Sequence, residues 1–241
     1  MSTREQQVLD FDWLHDDIEE DLVGADWHQD AIRALSTSLK MLVEERHWTW
    51  HIGDQLTLIG EIPGDRDWRP GPDISIHPTL GLDKRRDIDV RVYGPPALAI
   101  EVASSSTWAY DASVASISRA RRRAGKAYGY LYLLHIPEYL VFDPHGEFLP
   151  ERCRAWHRVG DEVREWPADS DGRFMSSLGI AFRPEGPLLR VIDPEGRPVP
   201  FWFEASRRAR ELEQELAALR AELDRVRQRN VPNRDGGTDK S

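Results

Sequence analysis

The sequence predicts an α+β fold, α/β-like in the succession of its strands and helices, that ends in a coiled-coil helix. Three observations predict it. An amphipathic stripe runs through residues 26–46, short β-rich runs punctuated by turn residues occupy much of 48–192, and a leucine seam repeats every seven residues over 205–226.

The elements follow in chain order. Residues 1–22 are acidic with scattered large apolar side chains (Phe11, Trp13, Leu14, Ile18, Leu22), a composition that suits a short docking helix or turn. Asp26 reads as an N-cap, because its carboxylate can accept from the orphan N–H groups of a first helical turn. Behind it Ile32, Leu35, Leu39, Leu42 and Arg46 fall three and four residues apart, with Ala31, Ala34 and Val43 widening the stripe, so a helix is expected over about 26–46. Residues 48–62 are strand material with Gly53-Asp54 as a turn. A polar loop over 64–71 leads to a strand at 73–77, a charged excursion over 81–94 and a strand at 97–103 that the run Ser104 to Thr107 ends. Residues 112–133 lean helical, with alanines and arginines first and Tyr128, Tyr130 and Tyr132 last. A turn at Pro137-Glu138 opens a strand over 139–143, polar and apolar residues alternate over 155–166, and Leu188–Ile192 forms a later strand stopped by Asp193-Pro194-Glu195-Gly196.

The C-terminus changes character. Ala205, Ala209, Leu212, Leu216, Leu219, Leu223 and Val226 alternate steps of four and three, the seam of a coiled coil, and Arg207–Glu211 and Arg220–Asp224 add pairs one turn apart. The seam either lies on its own domain or joins copies of the chain into a homo-oligomer through 205–226, and the flanking charges favour the second. The resulting organisation is an acidic segment 1–22, a folded domain 23–200, a coiled-coil helix 203–229 and a tail 230–241 disordered by composition.

Bulk properties narrow the function. The 241 residues carry 40% hydrophobic and 31% charged side chains, enough for a real core under a polar surface. One cysteine, Cys153, excludes an internal disulfide framework and a cysteine zinc cluster. No apolar run approaches the ~20 residues of a membrane span, and the N-terminus lacks a signal-peptide pattern, so a cytoplasmic protein with no membrane partner is expected. The net charge of −10 is concentrated in residues 1–30, where ten acids face Arg4 alone, which leaves the rest close to neutral. Within that remainder Arg119, Arg121, Arg122, Arg123 and Lys126 form a basic cluster, either a solvated helix face or a stripe for phosphates.

Two acids stand where a buried strand should be apolar. Glu101 interrupts Pro96-Ala97-Leu98-Ala99-Ile100-Glu101-Val102-Ala103, and Asp73 opens Asp73-Ile74-Ser75-Ile76. A buried carboxylate is costly without a compensating cation. Two of them at ~4 Å repel by roughly 4 kcal/mol at an effective dielectric of ~20. A divalent metal converts that repulsion into binding. Magnesium takes oxygen ligands and keeps several waters. A metal-bound water with a lowered pKa can attack a phosphodiester, and a lysine finishes such a site by screening the phosphate. Lys126 is the best lysine on offer, with Arg119, Arg122 and Arg123 as phosphate contacts. His28 lies four residues before Ile32, and is either a satisfied buried histidine or a lining of the cleft. Asp111 either caps the helix after it or faces the site, and Tyr130 either packs or turns its hydroxyl inward.

The order Pro72-Asp73, then Ile100-Glu101-Val102-Ala103 with Ser104 to Thr107, then Asp111, then Pro137 to Pro144 resembles the Uma-type restriction endonuclease family of the PD-(D/E)XK nuclease superfamily. Asp26-Trp27-His28, Ser176 to Ile180 and Leu188 to Pro194 extend the likeness, which spans roughly 20–230. The resemblance implies a restriction-endonuclease-like core, a mixed β-sheet flanked by helices. It implies Asp73 and Glu101 as metal ligands, the carbonyl of Val102 as a third, magnesium (or manganese in its place) as cofactor, and DNA as substrate. The chain departs from the pattern at Ala103, where the superfamily carries lysine, and at Ala115, four after Asp111, where the family commonly does; Lys126 comes only after an apparent insertion. Three readings follow: a metal-dependent endodeoxyribonuclease using Asp73, Glu101 and Lys126, a catalytically impaired nuclease-fold protein acting as a DNA-associated or oligomeric module, or a hydrolase for a small phosphodiester.

Overall fold

In a computed structural model the described residues are 27–60, 69–83, 85–114 and 125–229. The chain divides into two units, Met1–Val199 and Pro200–Ser241. The acidic segment 1–22, the Asp26 cap, the arginines 119, 121, 122 and 123, and the tail 230–241 lie outside the described residues.

The first unit opens with α1 (Trp27–Glu45), whose inward stripe of Ile32, Leu35, Leu39 and Leu42 is buried. Strands β1 (His51–Asp54), β2 (Thr57–Ile59), β3 (Ile74–His77) and β4 (Asp87–Asp89) follow, with the short α2 (Val90–Tyr93) directly after β4. Next come β5 (Leu98–Val102), α3 (Trp108–Asp111) and α4 (Lys126–Tyr128), which runs into a π-helical turn at Gly129–Leu133. The remaining strands are β6 (Glu138–Phe142), β7 (Cys153–Val159), β8 (Glu162–Glu165), β9 (Phe174–Met175), β10 (Ala181–Glu185) and β11 (Leu188–Ile192).

The main sheet has the order β1-β3-β5-β6-β7-β8 and is mixed: β5 and β6 run parallel, and every other neighbouring pair is antiparallel. The parallel pair is what positions the site. Parallel neighbours need a crossover over one face of the sheet, and α3, α4 and the π-helical turn supply it. Ala127, Tyr130, Leu131 and Leu134 of that crossover pack on Ala99, Ala103, Tyr139 and Val141 of the two strands. Strands β5 and β6 are buried along their whole length, as strands covered on both faces should be. Helix α1 packs against β1, β5 and β11. A three-stranded sheet β11-β10-β9 and a parallel β2-β4 pair complete the unit.

Several expectations shift. Gly53-Asp54 is strand rather than turn, because Gly53 and Asp54 pair with Ser75 and Ile74; β1 and β2 then enter different sheets. Gly53 is needed there: a Cβ would stand 2.3 Å from Ser75 Oγ. The span 112–133 is not one described helix, since α3 ends at Asp111, Ala112 to Val114 are non-helical, 115–124 lie outside the described residues and helix resumes at Lys126.

The second unit is α5 (Trp202–Arg229), 28 residues long. No described helix is long and apolar enough to cross a membrane.

Candidate active site

Asp73 immediately precedes β3, and Ile74 pairs with Ile100 of antiparallel β5. Continuing that register by one residue sets Asp73 opposite Glu101. Residues directly opposite in an antiparallel pair project from the same face. The strands hold each other at this point through a hydrogen bond from the Val102 amide to Asp73 Oδ2, 2.8 Å long. Glu101 projects onto the face that the crossover covers and is buried.

The crossover delivers the partners. Lys126, first residue of α4, places Nζ 3.0 Å from Glu101 Oε2 and 3.0 Å from Asp111 Oδ1. Tyr130, one turn further on, donates its hydroxyl to Glu101 Oε1 at 2.8 Å. Asp111, the last residue of α3, is buried and turned toward Lys126 rather than toward a following helix. The first turn of α1 brings His28 Nε2 to 3.5 Å from Asp73 Oδ2; the histidine is partly exposed, so it is a rim group and not a core one. Asp73, Glu101, Asp111, Lys126, Tyr130 and His28 therefore share one cluster, whereas Arg119, Arg122 and Arg123 lie outside the described residues.

Sequence reasoning missed the supports behind this cluster. Tyr139 donates its buried hydroxyl to the carbonyl of Asp111 at 2.9 Å, fixing the end of α3. Gly125 passes close to Ser113, whose carbonyl accepts from the Tyr128 amide at 3.1 Å, and so brackets Lys126. The signal for Tyr139 was its inward parity in an all-buried strand; Gly125 had none without the contact.

Charge and burial set the proton affinities. Burial pushes Glu101 well above the usual carboxylate range; Lys126 pulls it back, and Asp73 and Asp111 push it further up. Burial also raises Asp111, against the pull of Lys126 and Thr107. Burial acts to lower Lys126, but the carboxylates of Glu101 and Asp111 outweigh it, so its ammonium is held more firmly than in water. Asp73 goes the other way: burial would raise it, yet the hydrogen bonds from His28 and the Val102 amide win and lower it. The Tyr130 phenol is raised by burial and by Glu101, and stays a donor.

This donor set suits a hard cation. Three carboxylates face one lysine, so the cluster keeps excess negative charge when ionised. An ionised carboxylate offers about four lone-pair sites, so a Glu101 already bonded to Tyr130 and Lys126 has acceptor capacity left. Among the described residues no group of three or more His, Cys, Asp or Glu is arranged to hold a metal ion, so a cation here would rest on fewer side-chain ligands. Two carboxylates with water filling the rest is what magnesium accepts, whereas zinc wants nitrogen and sulfur ligands.

A buried acid pair on neighbouring strands, with a lysine delivered by the crossover, defines a carboxylate-lysine site on a mixed α+β scaffold. The family described as "Putative restriction endonuclease" (Uma2) matches residues 5–186, and the chain belongs to that family. The chain is also similar to a solved structure described as a putative nuclease belonging to DUF820 from Anabaena variabilis. The identity is 13%, the similarity covers 58% of this chain and 67% of that one, and the TM-score is 0.37. No curated protein matches the sequence.

Proposed function

We propose that the protein is a magnesium-dependent endonuclease that cleaves phosphodiester bonds of DNA at the Asp73–Glu101–Lys126 cluster. The observation that carries the reading is Lys126 Nζ at 3.0 Å from both Glu101 and Asp111, because it restores the cation that the linear spacing had displaced. Family membership supports the nuclease class.

Asp73 and Glu101 would hold the metal, with the carbonyl of Val102 as a further oxygen ligand. Bound there, magnesium supplies a water of lowered pKa and neutralises charge gathering on the phosphate. The chain's own groups do the rest. Lys126, firmly protonated, cannot serve as a general base near neutral pH; it acts as a fixed positive charge beside the phosphate oxygens. Asp111 is a second anchor for that ammonium, with Oδ1 3.0 Å from Nζ. Tyr130 holds Glu101 Oε1 in one orientation, and the Val102 amide does the same for Asp73. His28, at the rim beside Asp73, is placed to meet an incoming phosphate when protonated.

The test is cleavage of plasmid DNA with magnesium by the wild type, Asp73→Asn and Glu101→Gln, alongside magnesium binding by calorimetry. Expected is loss of metal binding and of cleavage in both variants with unchanged circular dichroism. Cleavage that survives both substitutions removes the assignment.

A further inference from the structure

Helix α5 presents an apolar row that no other described residue of its own unit covers. Leu212, Leu216, Leu219, Leu223 and Val226 are 48%, 48%, 69%, 49% and 43% exposed. The helix is 28 residues long, about 42 Å. Such a row, every seventh residue aligned, asks for a second helix laid along it.

The flanking charges say which helix and which way round. With Leu216 and Leu223 at the a positions, and Leu212, Leu219 and Val226 at d, the g positions are Arg208, Glu215 and Glu222, and the e positions one heptad on are Glu213, Arg220 and Arg227. In a parallel, in-register pair each g residue meets the e residue five further along the other strand. Arg208 then meets Glu213, Glu215 meets Arg220, and Glu222 meets Arg227 of the second copy, all three of opposite sign. In the antiparallel register that sets Leu212 against Leu223 and Leu216 against Leu219, g meets g and e meets e: Glu215 falls against Glu222 while Glu213 meets Arg220, so repulsion at one pair offsets attraction at the other. The ion pairs Arg208–Glu211, Arg225–Glu222 and Arg227–Asp224 within α5 are short-range and strongly exposed, so turning those side chains across an interface forfeits little.

We propose that α5 is a homodimerisation helix, and that two copies of the chain join through it as a parallel, in-register coiled coil. The occupant of the leucine row is the same row of a second copy, and the charges at g and e set both direction and register. This stands apart from the nuclease reading and holds or fails without any cleavage assay.

The experiment uses the full chain. Light scattering after gel filtration at micromolar concentration should give twice the 27.7 kDa of one chain. A monomer, which would leave the row to a different protein, overturns the proposal, as does a mass of three or more copies. Leu216→Glu combined with Leu223→Glu should give a monomer with the first unit's unfolding transition unchanged; a persistent dimer overturns it. Direction is read separately. Val226→Cys should oxidise to a covalent dimer, because parallel strands juxtapose the two thiols while antiparallel ones hold them about 25 Å apart; the native Cys153 is buried and gives little background. Glu215→Arg should weaken the dimer about tenfold, and adding Arg220→Glu should restore it. An antiparallel coil would be strengthened by Glu215→Arg, and that result, or no cross-link at Val226, overturns the parallel register.

Discussion

At the scale of single residues the site is an arrangement of charge. Lys126 holds two buried carboxylates, and its loss leaves Glu101 and Asp111 facing each other without a cation. Lys126→Met is expected to lower the DNA-cleavage kcat by 100-fold or more, the scale on which a preorganised electrostatic donor acts, with magnesium still bound in calorimetry. Asp111→Asn keeps the shape and removes the second anchor of the ammonium. We expect about a tenfold fall in kcat, an unchanged KM and a thermal midpoint within a few degrees of wild type. A lower midpoint with unchanged kcat would make Asp111 a purely structural group. Asp73 and Glu101 were legible in the sequence because a charge in an apolar strand is conspicuous. Lys126 was the best lysine on offer, but its distance from the acids was not legible, since the separation along the chain from Asp111 says nothing about how a crossover folds back. The hydroxyl of Tyr130 was equally ambiguous: packing and hydrogen bonding demand the same inward direction.

At the scale of elements, the interior strands were the legible part. The strands expected at 73–77, 97–103, 139–143 and 188–192 correspond to Ile74–His77, Leu98–Val102, Glu138–Phe142 and Leu188–Ile192. Long apolar runs announce themselves because the residues in them have nowhere to go except a covered sheet. The elements β4, α2, β9 and β10 were not anticipated. They are two to five residues long, too short for periodicity; the strands exist because neighbours pair with them, and α2 starts where the Asp89 side chain accepts from the Arg91 amide. The crossover carries the element-scale prediction. A Cβ at Gly125 would stand 2.3 Å from the carbonyl oxygen of Ser113, so backbone must shift where α4 begins. Gly125→Ala is expected to cost about 1–3 kcal/mol in urea unfolding and to reduce cleavage by moving Lys126. Cleavage at the wild-type rate in a destabilised Gly125→Ala would show that Lys126 tolerates displacement.

At the scale of the whole molecule, stability should depend on acid. His77 lies buried in β3, opposite His51 with ring centroids 6.1 Å apart and Nε2 3.2 Å from Ser75 Oγ. Burial first, and the positive charge of His51 second, lower its pKa to about 4; His51 is lowered by burial and by Arg85. An unfolded chain protonates His77 near pH 6.5, while the folded one resists until about pH 4. The unfolded state therefore binds more protons between those values, so the stabilisation is complete above pH 6.5 and is lost as pH falls toward 4. Wild type is expected to lose ~2–3 kcal/mol more than His77→Gln between pH 7 and pH 4.5 in urea unfolding. Parallel losses in both proteins would clear His77 of the effect.

The sequence by itself determined the inventory: a polar surface over a sizeable core, buried strands interrupted by two acids, and a C-terminal leucine seam flanked by charges of both signs. These are properties of composition and of short-range periodicity, and a chain carries them wherever it goes. Tertiary structure alone decided who meets whom. The antiparallel register of β3 and β5 turned two separate acids into a pair, and the crossover between β5 and β6 brought a lysine, a third acid and a tyrosine to the same face. Pairings between residues far apart in the chain follow from sheet register and the path of the connection, and neither is written in the residues that end up touching.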